Sequence, residues 1–185
     1  ITSGMDPRLN QSGCTLIVLA EWKAPVYQNA VTLITSSIRR NGPANIDSKI
    51  HHNNLINNIL AKIEANNAGA DDALMLDNNG FVAETNACNI LMIKNGMVFT
   101  PNADACLPGI TRKTVITLCQ QNNIPIHLKN ISLAEMYNAD QVFTTGTMGE
   151  LTAVKMIDGR AIINRSGTDL LQHINDLFRN LTLAL

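Results

Sequence analysis

A chain of 185 residues, 45% hydrophobic and 16% charged, has ordinary globular composition and enough apolar mass for one sizeable core. A net charge of -1 with no basic run argues against the phosphate-backbone footprint of a nucleic-acid binder. No apolar run reaches the length of a membrane span, and the four cysteines (Cys14, Cys88, Cys106, Cys119) are scattered without a CxxC pair. They read as reduced thiols of a cytoplasmic-type compartment rather than a disulfide framework. The opening residues, Ile1 to Met5, do not have the layout of a secretory signal.

In chain order, Cys14 to Ala20 is an apolar, β-branched run and predicts a buried strand. Charge and proline in Glu21-Trp22-Lys23-Ala24-Pro25 break it and mark a linker. Val31 to Ser37 predicts a second strand, and Arg39 to Pro43 a loop. From about His52 to Asn67 the period changes. Leu55, Ile56, Ile59, Leu60 and Ile63 recur on one face of an amphipathic helix, which Asn66 to Gly69 ends.

Strand-like pieces follow, separated by turn pairs. Ala73 to Leu76 leads through Asp77-Asn78-Asn79-Gly80 into Phe81 to Ala83, and Asn89 to Ile93 leads through Asn95-Gly96 into Met97 to Thr100. Asn-Gly between apolar runs signals a hairpin, because both residues tolerate positive φ. Ile110 to Asn122 predicts a helix with Val115, Leu118 and Cys119 inward, and Ile124 to Leu128 a short strand. Ser132-Leu133-Ala134-Glu135 has the form of a capping box. Gln141 to Thr144 predicts a strand, Leu151 to Ile163 a last hairpin about Asp158-Gly159, and Thr168 to about Leu181 a terminal helix. The mixture implies an α+β or mixed α/β fold.

Four places carry chemistry. Lys49 lies where an extended run gives way to the first helix. A lysine condenses with an aldehyde only after losing its proton, which requires a water-poor site. On its own a lysine there reads more readily as a surface residue at a helix start. Glu84 closes a strand, and a carboxylate there can keep a pyridine nitrogen protonated, or be merely solvated. Pro108-Gly109-Ile110-Thr111-Arg112 opens a helix whose first N–H groups suit an anion, or serves as a plain helix start. Thr144 to Gly149 is a second small-residue turn with free donors, or a plain loop. Neither turn matches a P-loop or a dinucleotide fingerprint. The adjacent pair His51-His52 lacks a third ligand at metal spacing, so no metal is expected.

In order, Ser48-Lys49 with Asn53, Glu84 with Asn89, Leu107-Pro108-Gly109-Ile110-Thr111-Arg112, and Gly146-Thr147 with Glu150-Leu151-Thr152 resemble the motifs of the class IV (fold type IV) pyridoxal-phosphate aminotransferases. The likeness is to branched-chain amino acid aminotransferases and their D-amino-acid aminotransferase-like relatives. It covers nearly the whole chain, most strongly from about Val31 to Ile163. The resemblance implies pyridoxal 5'-phosphate as cofactor, with Lys49 as its Schiff-base and proton-transfer residue. It implies Glu84 at the pyridine nitrogen, Leu107 on the ring face, and Ile110, Thr111, Gly146 and Thr147 at the cofactor, the phosphate being held by Ile110, Thr111 and Thr147. Thr147 and Met148 would lie near the substrate carboxylate. An amino acid would give its amine to the cofactor, and 2-oxoglutarate would take it.

The resemblance also implies that residues 1–25 are a remnant of a small N-terminal domain and interdomain loop, and that 26–185 are the large cofactor-binding domain. The whole would be a cytoplasmic homodimer, and the chain would be chiefly its large domain, either a truncated form or one naturally without the small domain. Asn54 stands where branched-chain members carry tyrosine, and Leu91 where an aromatic is usual. A D-amino-acid aminotransferase or an aminodeoxychorismate lyase-type enzyme fits the same residues. Outside enzymes, a non-catalytic fragment or dimerisation domain is the alternative.

Overall fold

The computed structural model describes residues 6–9, 13, 15–22, 29–102 and 104–184. After a short 3-10 turn, Pro7–Leu9, come β1 (Val31–Thr35), α1 (Ile56–Asn67), β2 (Asp72–Leu76), β3 (Val82–Thr85), β4 (Asn89–Lys94) and β5 (Met97–Thr100). Then follow α2 (Ile110–Gln121), β6 (Ile126–Leu128), α3 (Leu133–Tyr137), β7 (Gln141–Gly146), β8 (Glu150–Ile157), β9 (Arg160–Ala161) and α4 (Leu170–Leu183).

The strands form one mixed sheet in the order β3-β2-β1-β8-β7-β4-β5-β6, with β9 beside β8. β1 runs parallel to β2 and β8, and β5 parallel to β6; the other pairs are antiparallel. β3 and β4 lie five places apart in that order, yet only residues 86–88 join them. Such a link bridges at most roughly 14 Å, whereas five strand spacings in a flat sheet amount to about 24 Å. The sheet must therefore curl until Glu84 on β3 and Asn89 on β4 face one another, and that closure builds the site described below.

Side chains alternate across the sheet as the pleat requires. Ile90 and Met92 join Leu33, Leu74, Val142 and Ile157 on one face, closed by Ile131 and by Met136 of α3. Leu91, Ile93 and Phe143 face the other way, under Val115, Leu118 and Cys119 of α2 and Ile174 and Phe178 of α4. The turn chemistry matches the sequence. Asn95 (φ 51°) with Gly96 (φ 73°), and Asp158 (φ 50°) with Gly159 (φ 74°), adopt the positive φ that tight hairpins need. Ser132 caps α3 in a reciprocal capping box with Glu135.

Two expectations fail. Residues 15–20 form no strand: Leu16, Ile17, Val18 and Leu19 are 73–86% exposed and Trp22 fully so. Their predicted companion Cys14 and the linker residues Lys23 to Pro25 lie outside the described residues. The helix predicted from His52 begins at Ile56, with Leu55 at its N-cap and no side-chain cap. Its buried side is Ala61 and Ala65, packed on Ala73 and Met75 of β2. The aliphatic side, Leu55, Ile56, Ile59, Leu60 and Ile63, stays 43–62% exposed. Alanine brings the helix backbone close to the sheet, which leaves the larger side chains pointing away from it.

Candidate active site

Glu84 sits inside β3, 4% exposed, where the curled sheet brings it against β4 and the 101–109 loop. Its Oε1 accepts from Arg40 Nε at 2.6 Å. Its Oε2 accepts from Asn89 Nδ2 at 3.1 Å and from the Leu107 N–H at 3.3 Å. Burial pushes this carboxyl up to about 7, against the opposing pull of Arg40, the Leu107 N–H and Arg112. A carboxylate offers about four acceptor positions. The three bonds leave room for one more donor, such as a protonated ring nitrogen.

Asn89 is the hub. The same Nδ2 donates to Leu107 O at 2.7 Å, fixing the loop that carries Leu107. Its Oδ1 lies where a Gly109 Cβ would stand, only 1.8 Å away. Gly109 has φ 69° and ψ 123°, outside the conformations open to a residue with a side chain. Only glycine therefore lets the start of α2 reach Asn89. Ile110 opens that helix and is 80% exposed, while Thr111 is buried. The first intrahelical bond runs from Lys113 N to Gly109 O, so the N–H groups of Ile110, Thr111 and Arg112 have no acceptor within the helix. They and the helix dipole present positive charge to an anion. Arg112 is buried and ties the loop to the helix through Thr100 Oγ1 at 2.9 Å, Pro101 O at 2.6 Å and Pro108 O at 3.3 Å.

The second small-residue turn stands next to the first. Asn89 pairs with Thr145 across β4 and β7, one residue before Gly146. A Cβ on Gly146 would come 3.0 Å from Cys88 Sγ. Gly146 closes β7, so the turn proper is Thr147-Met148-Gly149: Thr144, Thr145 and Gly146 of the predicted turn belong to the strand. A cavity of about 90 Å³ opens there, lined among others by Gly146, Thr147, Met148, Cys88 and Asp72. Thr145 Oγ1 is buried without a hydrogen-bond partner. Buried hydroxyls are ordinarily paired, so this one is an unmet donor beside Gly146, although it is Thr144, not Thr145, that lines the cavity.

Lys49 is placed differently. It lies in a turn seven residues before α1, not at its first residues. Its side chain is 42% exposed, and its Nζ sits 3.3 Å from Asp47 Oδ1. The turn itself is anchored: Ser48 is buried and its hydroxyl donates to Asn41 O at 2.7 Å. Nearby, His52 Nδ1 is buried without a partner. The structure thus gathers Glu84, Leu107, Ile110, Thr111, Gly146, Thr147 and Met148 about Asn89, whereas Lys49 stands in the β1–α1 connection, half-exposed and beside Asp47. Arg40 and Asn89 were not among the predicted site residues. The signal for Asn89 was its fixed spacing from Glu84; for Arg40, two adjacent arginines gave none.

A buried acid with one free acceptor position, a glycine cradle, and two adjacent sets of main-chain donors beside an unpartnered hydroxyl suit a phosphate-bearing nitrogen heterocycle. Comparison with known proteins agrees. The profile of the family described as Amino-transferase class IV matches residues 2–157, and the chain belongs to that family. It is 56% identical over 184 residues, 98% of its length, to the branched-chain-amino-acid aminotransferase-like protein 2 of Arabidopsis thaliana, of which it spans 33%. The branched-chain aminotransferase of Thermoproteus uzoniensis, solved with norvaline, superposes with a TM-score of 0.82 at 32% identity, over 87% of this chain and 54% of that one. An aminotransferase of Brucella abortus bound to the co-factor PLP gives 0.78 at 27% identity, over 85% of this chain and 56% of that one. The chain thus spans about a third of the plant relative and about half of each solved chain. The mixed α/β fold is that of the fold type IV enzymes.

Proposed function

We propose that this chain is the cofactor-binding part of a pyridoxal-phosphate-dependent aminotransferase that exchanges the amine of a branched-chain-type amino acid with 2-oxoglutarate. The observation that carries this is the convergence of Glu84, Leu107, Gly109 and the Gly146-Thr147 turn on Asn89. Pyridoxal phosphate, when bound, withdraws electrons from the substrate α-carbon and makes its proton removable. Glu84 accepts from the ring nitrogen and keeps a positive charge there. Leu107 packs on the ring face. The N–H groups of Ile110 and Thr111, with Gly146 and Thr147, hold the phosphate; the Thr147 and Met148 main chain binds the substrate carboxylate. Lys49 is the catalytic residue, taking and returning a proton through Nζ once that amine is neutral.

Lys49 is half-exposed, whereas a Schiff-base amine needs a water-poor site, so the working site needs more cover than these residues supply. The supporting reading is that residues 1–25 belong with a smaller N-terminal domain and that the active form is a cytoplasmic homodimer. The apolar run at Leu16 to Leu19 and the outward face of α1 are surfaces of the composition such contacts require. No helix among the described residues is long and apolar enough to cross a membrane.

The test is amine exchange by the full-length protein. L-valine, L-leucine and L-isoleucine with 2-oxoglutarate should yield glutamate, and Glu84→Ala should depress that turnover. Turnover of D-amino acids alone, or release of pyruvate from aminodeoxychorismate, would reassign the substrate within the same cofactor chemistry. No turnover and no cofactor uptake would leave a non-catalytic domain.

A further inference from the structure

Arg40 is the charged group that the cofactor roles above leave unused. It lies in the connection between β1 and α1, 7% exposed, with its Nε 2.6 Å from Glu84 Oε1. The guanidinium is held from the other side as well. Nη1 donates to Asn58 Oδ1 at 3.1 Å, and Asn58 Nδ2 donates to Asn86 O at 2.7 Å, in the link between β3 and β4. The Arg40 N–H donates to Leu76 O at 2.8 Å. The next residue, Asn41, accepts from the Ser48 hydroxyl at 2.7 Å and from Asn57 Nδ2 at 2.6 Å. One dipeptide therefore touches both Glu84 and the turn that bears Lys49.

We propose that Arg40 is a positioning residue of the cofactor site: its ion pair favours the ionised form of Glu84 and aims it, and through Asn41 it sets where the Lys49 turn stands relative to that carboxylate. This rests on Glu84 facing the cofactor nitrogen, as proposed above. The physical reason is that a carboxylate this deeply buried loses its hydration and favours the neutral form. The charged groups acting on Glu84 are Arg40 from the β1–α1 connection and, more weakly, Arg112 from α2. The Cys88 and Cys106 thiols lie in its field, and both are pushed up, first by burial and then by neighbouring carboxylates including Glu84. Without Arg40 the carboxyl would hold its own proton at neutral pH and could no longer keep a ring nitrogen protonated. Arginine suits the task because its fork serves Glu84 and Asn58 at once.

The experiment is a carbon-13 carboxyl titration of Glu84 in the cofactor-free full-length protein, with the absorbance spectrum of bound pyridoxal phosphate followed against pH in the same variants. Arg40→Gln should raise the Glu84 midpoint by about one to three pH units, the usual reach of one close opposite charge. Arg40→Lys should recover more than half of that shift, since it keeps the cation but not the fork. An unchanged midpoint in Arg40→Gln, or a full shift in Arg40→Lys, overturns the proposal. Where Arg40→Gln fails to fold by circular dichroism, Arg40→Lys decides alone: a large upward shift with the charge still present refutes it. Glu84→Gln separates the two levels. If it leaves cofactor spectrum and affinity unchanged, the Glu84 assignment is wrong; if it alters them while the Arg40 variants leave Glu84 unmoved, only the role of Arg40 is wrong.

Discussion

Replacing Gly109 with alanine puts a methyl carbon 1.8 Å from Asn89 Oδ1 and 3.0 Å from its Cγ, so the Asn89 carboxamide must leave. Two costs follow. At φ 69° and ψ 123° a residue with a side chain is strained, by about 1–3 kcal/mol. A displaced Asn89 also strips its Nδ2 donor from Glu84 Oε2 and from Leu107 O, both in or beside the buried network; leaving such acceptors short costs about 1–3 kcal/mol. Together the change should lower stability by about 2–6 kcal/mol, a large share of the roughly 5–15 kcal/mol a domain has. Urea denaturation measures it as a fall in midpoint at constant slope. Cofactor affinity should fall with it, because the first turn of α2 loses its seat. A loss below about 1 kcal/mol, with affinity intact, would show that the close approach of Gly109 to Asn89 does not exist in solution.

Three further outcomes are expected. Asn89→Ala removes the same donor without backbone strain and should cost about 1–3 kcal/mol, less than Gly109→Ala in the same urea assay. Glu84 has a folded pKa raised from 4.5 to about 7 by burial, so the stability it contributes is complete below pH 4.5 and gone once the pH passes about 7. Wild-type protein should therefore lose a few kcal/mol across that window relative to Glu84→Gln, read from urea midpoints at pH 5 and pH 7.5; parallel pH profiles would contradict this. Ile59 is 56% exposed on the outer face of α1, and Ile59→Asp in the full-length protein should shift sedimentation from the proposed dimer towards monomer while leaving α1 helical by circular dichroism. An unchanged dimer would place the subunit contact elsewhere.

Much of the fold could be read from local chemistry. Asn95-Gly96 and Asp158-Gly159 specify their hairpins through positive φ, and Ser132 with Glu135 specifies the start of α3. The two apolar faces of the sheet follow from alternation along Asn89 to Lys94. What periodicity does not tell is which apolar surface meets the core. The Leu55, Ile56, Ile59, Leu60 and Ile63 stripe looks inward-facing, yet α1 seats its alanines on β2 because they allow the closer approach. The run from Thr15 to Ala20 has the propensity for a strand but pairs with none of the described residues. At the site, Gly109 and Glu84 were legible from motif spacing. Asn89 as a hub was not: its spacing from Glu84 is local, but its contacts with Leu107 and Gly109 reach across the 101–109 loop and appear only in the folded chain. Arg40 was hidden for the same reason: its partner Glu84 is 44 residues away.

The central claim is that Lys49 is the amine that engages pyridoxal phosphate. Incubating the full-length protein with the cofactor, reducing with borohydride and mapping peptides tests it most directly. The account predicts a single phosphopyridoxyl label on Lys49, lost in Lys49→Ala. A label on another lysine, or undiminished labelling in Lys49→Ala, would contradict it.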